Sequence, residues 1–458
     1  MRLERSLGVQ LHPTSLPGGR LGPEAYAFVD WLADAGARWW QVLPLNPPDE
    51  FGSPYASASA FASWGGLLAD PEARVAPSDA RAFSERERTW LGDWEAFSGD
   101  GAVADQVRFD REWGALRSYA ASRGVRIIGD VPIYVAAGGC DHAAHPDLFL
   151  PLDEFVAGAP PDDLSALGQL WGNPLYDWDA MARTGYRWWI HRMRRVLELV
   201  DLYRIDHFRG FAAYWTVPAN AESARDGWWS PGPGAAVFHA AEAELGPLPV
   251  IAEDLGVITP DVHALRDELG FPGMAVLIWS FGGPPDNPHR LENHREHQVV
   301  YTSTHDTDTL AGATGTSDTW PLVERALSSM CALAIVPVQD ILGLAQLPAA
   351  AQSFESPVAG TTDFTRDFQD LITRYAWGEI WSRPGLDRRT RSCITLTALV
   401  AGGREHELEL HVRAALRNGL EPDEIGEVLL QCAVYCGVPA ANSAFAIAQR
   451  VIDGEAVQ

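Results

Sequence analysis

Short apolar runs alternate with longer stretches of helical periodicity through the first three quarters of the chain. Residues 8–12 read as a first strand, and residues 13–18, rich in Pro, Ser and Gly, as a turn. Residues 23–36 carry Pro near the start, apolar residues at helical spacing and Gly at the end, which predicts a helix. Further strands are expected at 39–44, 125–134, 200–205, 248–253, 274–281, 299–304 and 334–339. Helices are expected at 109–122, 186–199, 260–269 and 318–332. Residues 70–104 are irregular and charged and read as a reduced insertion, and residues 138–181 as a long loop. Eight strands alternating with helices or loops predict an α/β fold, a (β/α)8 TIM barrel with insertions. A doubly wound sheet would normally offer a Gly-rich phosphate loop after its first strand, and none is present.

The pattern changes near Leu347. Residues 348–360 have linker composition, and helical periodicity alone follows, at 364–381, 387–401, 405–418 and 422–437. The expected organisation is a barrel over 1–346, a linker over 347–360 and an all-α module over 361–458.

Composition narrows the function. Of 458 residues, 47% are hydrophobic and 21% charged, as in soluble globular proteins. The formal net charge of −26 argues against nucleic acid or an anionic membrane as partner and leaves a neutral substrate. Eighteen Trp residues supply either core or platforms for sugar rings. The first residues lack the apolar core of a signal peptide, and no apolar run reaches membrane-spanning length. The five cysteines show no metal spacing and no Cys-x-x-Cys pair, which suggests buried thiols in a reducing cytoplasm.

Chemistry concentrates at the predicted strand ends. Arg204 and Asp206 are two apart on one strand and so project from the same face. A guanidinium beside a carboxylate favours its ionised form. By itself an Arg-x-Asp pair reads as a structural salt bridge. Asp130, Glu253 and Asp306 lie near the ends of other strands, with His207 and His305 beside them, where a barrel gathers its active site. The His and Asp positions lack a local metal-ligand motif, so no metal is expected. Glu253 follows Val-Ile-Ala, an apolar approach that raises a carboxyl pKa, whereas Arg204 would lower that of Asp206. One ionised and one protonated carboxyl, roughly 5 Å apart, are what a retaining glycosyl transfer requires.

The motifs resemble a family. His-Pro-Thr-Ser-Leu-Pro-Gly at 12–18, Ser-Pro-Tyr at 53–55, Gly-Asp-Val-Pro-Ile-Tyr-Val at 129–135, Gly-Gln-Leu-Trp-Gly-Asn-Pro at 168–174, Arg-Ile-Asp-His-Phe-Arg-Gly at 204–210, Ile-Ala-Glu-Asp-Leu-Gly at 251–256 and Thr-His-Asp at 304–306 are similar to the 4-α-glucanotransferases called amylomaltases or disproportionating enzymes. The resemblance spans about residues 8–345. It implies Asp206 as nucleophile, Glu253 as acid/base and Asp306 as the group that binds hydroxyls of the distorted sugar. It also implies substrate-binding roles for Tyr55, Asp130, Trp171, Asn173, Arg204, His207 and His305, with Tyr55 stacking on the sugar; Trp171, in its Gly-rich loop, reads either as a lid and stacking surface for the acceptor or as plain packing. The implied substrates are maltooligosaccharides or starch and glycogen fragments, without a cofactor. The chain departs from the pattern at residues 19–22, at Asp163 and Leu164, and after Gly343, where the barrel's last helix is not recognisable. Its loss would expose the outer flank of strands one and eight.

Residues 362–443 resemble 4-carboxymuconolactone decarboxylase, of the alkylhydroperoxidase-D-like fold, through Trp381-Ser-Arg-Pro-Gly over 381–385, Gly-Arg-Glu-His-Glu-Leu over 403–408 and Ala-Val-Tyr-Cys-Gly-Val-Pro over 433–439. That resemblance implies Glu379, Arg389 and His411 as candidates for carboxylate binding and proton transfer, and a homo-oligomer formed through this module. Decarboxylation beside an impaired barrel, or a module serving only for oligomerisation, are the alternatives to glucan transfer.

Overall fold

The computed structural model describes residues 3–162, 165–345, 386–401, 405–436 and 438–455. The chain divides into two compact units, Met1–Ser356 and Pro357–Gln458. The expected linker over 347–360, the expected helix over 364–381 and the position of the barrel's last helix lie outside the described residues, as do Asp163 and Leu164.

In the first unit the strands, in chain order, are β1 Ser6–Gln10, β2 Trp39–Gln41, β3 Arg126–Val131, β4 Phe155–Ala159, β5 Gln169–Leu170, β6 Leu202–Ile205, β7 Ala213–Pro218, β8 Trp228–Pro231, β9 Val250–Ala252, β10 Gly273–Val276, β11 Gln298–Tyr301 and β12 Leu333–Pro337. Eight form one parallel sheet in the order β10-β11-β12-β1-β2-β3-β6-β9. The sheet curls until its edges meet. The Ala252 amide donates to the Pro272 carbonyl at 2.9 Å. The Met274 amide donates to Asp254 Oδ1 at 2.7 Å, and Asp254 is itself paired with Arg266. A carboxylate thus bridges the seam of the barrel.

The period-two alternation of a strand decides what fills the barrel. Trp39, Ile128, Leu202, Ile251, Val299, Leu333 and Ile335 share one buried interior cluster. Their chain neighbours Trp40, Ile127, Tyr203, Val300 and Ala334 belong to clusters outside it. Each such large side chain stabilises the fold by about 1.5–3 kcal/mol relative to exposure. Gly8 is where β1 comes closest to its neighbours: a Cβ there would lie 2.4 Å from Ile335 Cδ1 and 2.9 Å from Trp39 Cβ.

Part of the outer flank of β1 and β12 is covered by helices of the first unit. Val9 is buried in the same cluster as Ala25, Val29 and Leu32 of the helix Pro23–Asp34. Ala334 and Val336 are buried with Val323 and Ala326 of the helix Trp320–Leu327. Leu7 stays partly exposed. One helical turn, Val338–Ile341, follows β12.

Two other regions differ from the sequence expectation. Residues 70–104 form ordered helices, Pro77–Arg86 and Leu91–Ser98, and the following helix, Ala102–Ser122, begins seven residues before the expected 109. Phe83, Trp90, Leu91 and Trp94 anchor this region in the core, and one acid, Glu87, is buried with them, accepting from the Trp90 indole at 2.8 Å. The long loop supplies β4 and β5, which join β7 and β8 in an antiparallel sheet ordered β5-β4-β7-β8. Periodicity assigns no element to residues 212–247, yet β7, β8 and the helix Ala236–Leu245 form there.

The second unit is helical where described: Arg388–Ala401, Glu405–Arg417, Pro422–Cys436 and Val438–Glu455. The last helix is absent from the sequence expectation, which stops at 437. Leu396, Val400, Leu408, Val412, Leu429, Cys432, Ile447 and Val451 form its core.

Candidate active site

Five barrel strands deliver charge or aromatic surface to one mouth. Tyr55 comes from the loop after β2, Asp130 from β3, Arg204 from β6 with Asp206 and His207 just beyond it, Glu253 from the end of β9, and His305 and Asp306 from the turn after β11. They surround a cleft of about 560 Å³ whose walls include Tyr55, Trp171, Asn173, Asp206, Glu253 and Asp306. A larger groove of about 720 Å³ lies over the helices Pro77–Arg86 and Ala102–Ser122. It is lined by short and charged side chains such as Arg81, Arg88 and Glu95 and brings together none of the strand-end acids.

Arg204 organises the floor. Its side chain is 3% exposed, and one nitrogen contacts both Asp130 oxygens at 2.9 and 2.8 Å. Its other nitrogen lies 2.8 Å from Asp206 and 3.7 Å from Asp306. Asp130 also accepts from the Tyr55 hydroxyl at 2.6 Å. Asp130 and Arg204, named from the sequence as substrate-binding, are not among the residues lining the cleft; they lie beneath it and hold those that do. Tyr55 lines the cleft, and its ring stacks on His305 with centroids 5.1 Å apart and planes 10° apart.

Glu253 is held by backbone. The His207 amide donates to Oε2 at 2.6 Å and the Leu255 amide to Oε1 at 2.8 Å. His207 reaches this position with φ of 51°, a left-handed conformation that His adopts more readily than most residues. Its imidazole meets the edge of Trp171 at 4.8 Å. Trp171 follows β5 on the side sheet, so the antiparallel sheet carries this aromatic to the barrel mouth. Asn173 lines the same wall and donates to the Val135 carbonyl at 2.9 Å. Tyr134, buried beside Trp171 at 6.2 Å, is a cleft residue not singled out from the sequence, although it lies within the 129–135 motif.

The carboxyls are set to different protonation states. Burial, reinforced by the charge of Asp206 and offset by Arg204, pushes Glu253 up to about 8. Burial also pushes Asp206 up, to about 6, against the pull of Arg204. This reverses the direction expected from the Arg-x-Asp spacing, because a strand end under a folded roof loses more hydration than one guanidinium returns. Asp206 keeps 28% exposure and a direct guanidinium contact, so it stands as the anion of the pair at neutral pH. At Asp306 partial loss of hydration opposes ionisation although the side chain keeps 58% exposure, and His305 at 3.1 Å and Arg204 outweigh it and bring the carboxyl down to about 2. Burial lowers His207 to about 3, so its imidazole is neutral. Among the described residues no group of three or more His, Cys, Asp or Glu side chains is arranged to hold a metal ion.

Of the candidates of the second unit, Arg389 and His411 fall within the described residues. Glu379 lies outside the described residues. Arg389 pairs with Glu424 at 2.5 Å, with both side chains about half exposed, and donates to the Gly419 carbonyl. His411 is partly buried on the helix Glu405–Arg417.

Residues 11–98 and 101–315 match the family model described as 4-alpha-glucanotransferase, and residues 366–450 that of the Carboxymuconolactone decarboxylase family. The 4-alpha-glucanotransferase of Thermus thermophilus is 38% identical, over 75% of this chain and 91% of that relative. The chloroplastic/amyloplastic 4-alpha-glucanotransferase of Solanum tuberosum is 37% identical, over 74% of this chain and 79% of its own length. Among solved structures, the amylomaltase from Streptococcus agalactiae in complex with acarbose superposes with a TM-score of 0.66 at 28% identity, covering 74% of this chain and 90% of that one. The amylomaltase from Corynebacterium glutamicum, at 19% identity and a TM-score of 0.63, shares the fold over 74% of this chain and 69% of its own.

Proposed function

Because the chain belongs to the 4-alpha-glucanotransferase family, we propose that its cleft transfers α-1,4-glucan segments between maltooligosaccharides by a retaining double displacement, with Asp206, Glu253 and Asp306 as its catalytic residues. The observation that carries the assignment of roles is the asymmetry between two carboxyls on adjacent strands. Asp206 sits on a buried guanidinium at 2.8 Å, whereas Glu253 has only backbone amides as close donors and is pushed up to about 8.

In this reading Asp206 attacks the anomeric carbon as the glycosidic bond breaks. Glu253 gives its proton to the departing oxygen, and a β-linked glycosyl ester forms on Asp206. Once formed, the ester removes the Asp206 charge that helped to raise Glu253, so Glu253 becomes a better match for its second task. It then takes the proton from the 4-hydroxyl of an acceptor sugar. That oxygen attacks the anomeric carbon, releases Asp206 and restores the α configuration. Asp306, anionic and next to Arg204, would bind hydroxyls of the donor sugar as positive charge develops on its ring. Tyr55, braced by His305 and Asp130, would stack on that ring. Trp171 and His207 form a wall beside Glu253, where stacking would favour a sugar acceptor over water.

Maltotriose as sole substrate tests this reading: glucose plus longer oligomers is the expected product set. Glucose and maltose without longer products would mean hydrolysis instead.

For the second unit, the match over residues 366–450 supports a decarboxylase-like module. That it decarboxylates a carboxylated lactone, and that it joins chains into oligomers, are separate proposals. Loss of carboxymuconolactone absorbance and light scattering of the full chain test them. A cytoplasmic location is likewise a proposal, supported by the free thiols Cys140, Cys331, Cys393 and Cys432.

A further inference from the structure

A fully buried carboxylate outside the cleft grips both ends of the segment that carries Asp306. Asp340, in the helical turn after β12, is 0% exposed. One of its oxygens accepts from the Thr302 hydroxyl at 2.5 Å and the Ser303 hydroxyl at 2.6 Å, where the chain leaves β11. The other accepts from the Leu310 amide at 2.7 Å, where the next helix begins. Between these points the backbone of the turn bonds within itself: the Asp306 amide donates to Thr304 Oγ1, and the Thr304 amide to Thr307 Oγ1, while its side chains reach out, His305 onto the Tyr55 ring and Asp306 toward Arg204. Two further bonds tie the same regions together. The Thr309 hydroxyl donates to the Leu344 carbonyl and the Thr319 hydroxyl to the Asp340 carbonyl, each at 2.5 Å.

We propose that Asp340 is a positioning residue for catalysis, holding the 302–310 segment in the one arrangement that places Asp306 and His305 against Arg204. The proposal rests on the role of Asp306 given above. The Asp306 side chain is 58% exposed and touches only polar partners, His305 beside it in the same turn and Arg204 across the cleft floor, so where it sits depends on where the turn is held. The geometry of such a group is set by what anchors the turn, and here one carboxylate anchors both the entry and the exit. A buried acceptor with three donors cannot be removed without orphaning them. Misplacement of a reacting group by about 1 Å is enough to cost roughly a hundredfold in rate.

The test compares Asp340→Ala, Asp340→Asn, Ser303→Ala and Asp306→Asn in the full-length protein. Disproportionation of maltotriose gives kcat and KM, and a fluorinated α-glucosyl donor that leaves the nucleophile esterified counts the active sites. Asp340→Ala should lower kcat per trapped site by roughly 10- to 100-fold, with KM held within about twofold. Asp340→Asn should recover much of that loss, because the hydroxyls can turn to accept from the amide while its oxygen keeps the Leu310 N–H. A purely structural role would lower the count of trapped sites and leave kcat per site unchanged, and that result would overturn the proposal. If Asp340→Ala fails to fold, Ser303→Ala decides, with a loss of about threefold or more expected and an unchanged kcat counting against the idea. Should Asp306→Asn itself retain full kcat, the assignment of the catalytic acids would fall instead, whatever Asp340 does.

Discussion

Arg204 and Asp130 lock together inside the barrel, with one guanidinium nitrogen against both carboxylate oxygens and side-chain exposures of 3% and 0%. That leaves the second nitrogen aimed at Asp206. The pair converts a flexible cation into a fixed one, and Asp206, the proposed nucleophile, faces a positive charge that cannot move away from it.

Arg204→Ala should therefore damage both fold and activity. Leaving Asp130 charged and unpaired in the interior costs about 3–5 kcal/mol. Arg204→Lys retains charge but loses the fork geometry, so it should keep more stability while transfer still falls by about a hundredfold or more. Thermal unfolding and maltotriose kinetics on both variants check this. Undiminished stability and transfer in Arg204→Lys would show that the fork geometry is immaterial.

Asp206→Asn should abolish glycosyl transfer while leaving the protein folded, since the site keeps its shape and the ester cannot form. Mass spectrometry after exposure to a fluorinated glucosyl donor should find wild-type protein labelled at Asp206 and the variant unlabelled. Label on Glu253 or Asp306 would reverse the assigned roles.

The pH profile follows from the two raised carboxyls. Asp206 works as the anion, so kcat/KM rises as pH climbs through its value near 6. Glu253 works as the acid, so kcat/KM falls as pH climbs through its value near 8. The expected profile is a bell with its maximum near neutrality. Glu253→Gln should remove the alkaline limb along with most of the activity. An alkaline limb that survives in the variant would mean that another group controls it.

Trp171→Ala should act on the acceptor. Loss of one aromatic platform weakens stacking by about 0.5–1.5 kcal/mol beyond area burial, so the KM for an added glucose acceptor should rise by up to roughly tenfold and hydrolysis should gain on transfer. Unchanged partition between water and sugar would show that Trp171 serves only to pack against His207.

In the C-terminal unit, Arg389→Ala should change stability by no more than about 1 kcal/mol, because its partner Glu424 is half exposed and the pair is screened by solvent. Loss of lactone decarboxylation without loss of stability would instead give Arg389 a chemical role.

Much of the barrel was legible because its information is local. Parallel strands buried on both faces read as apolar runs, and the acids that follow them, Asp206, Glu253 and Asp306, mark strand ends without reference to anything distant. Tyr55, Trp171 and Asn173 were identified by motif, and the fold brings all three to the cleft. The side sheet was not legible, because Phe155–Ala159 and Ala213–Pro218 pair across more than fifty residues of chain and neither is a long apolar run. Nor were the helices within residues 70–104, whose charged outer faces hide a few deep anchors such as Phe83 and Trp94.

The sequence by itself determined the order of elements, the strand ends on which the acids sit, and the composition of the barrel interior, since periodicity and side-chain chemistry act over a few residues. Only the tertiary structure decided that Arg204 is shared between Asp130 and Asp206, that burial raises Asp206 rather than lowering it, and that Asp340 anchors the turn carrying Asp306. Desolvation and hydrogen bonding depend on what the fold brings from elsewhere, and the spacing of residues along one strand does not contain that information.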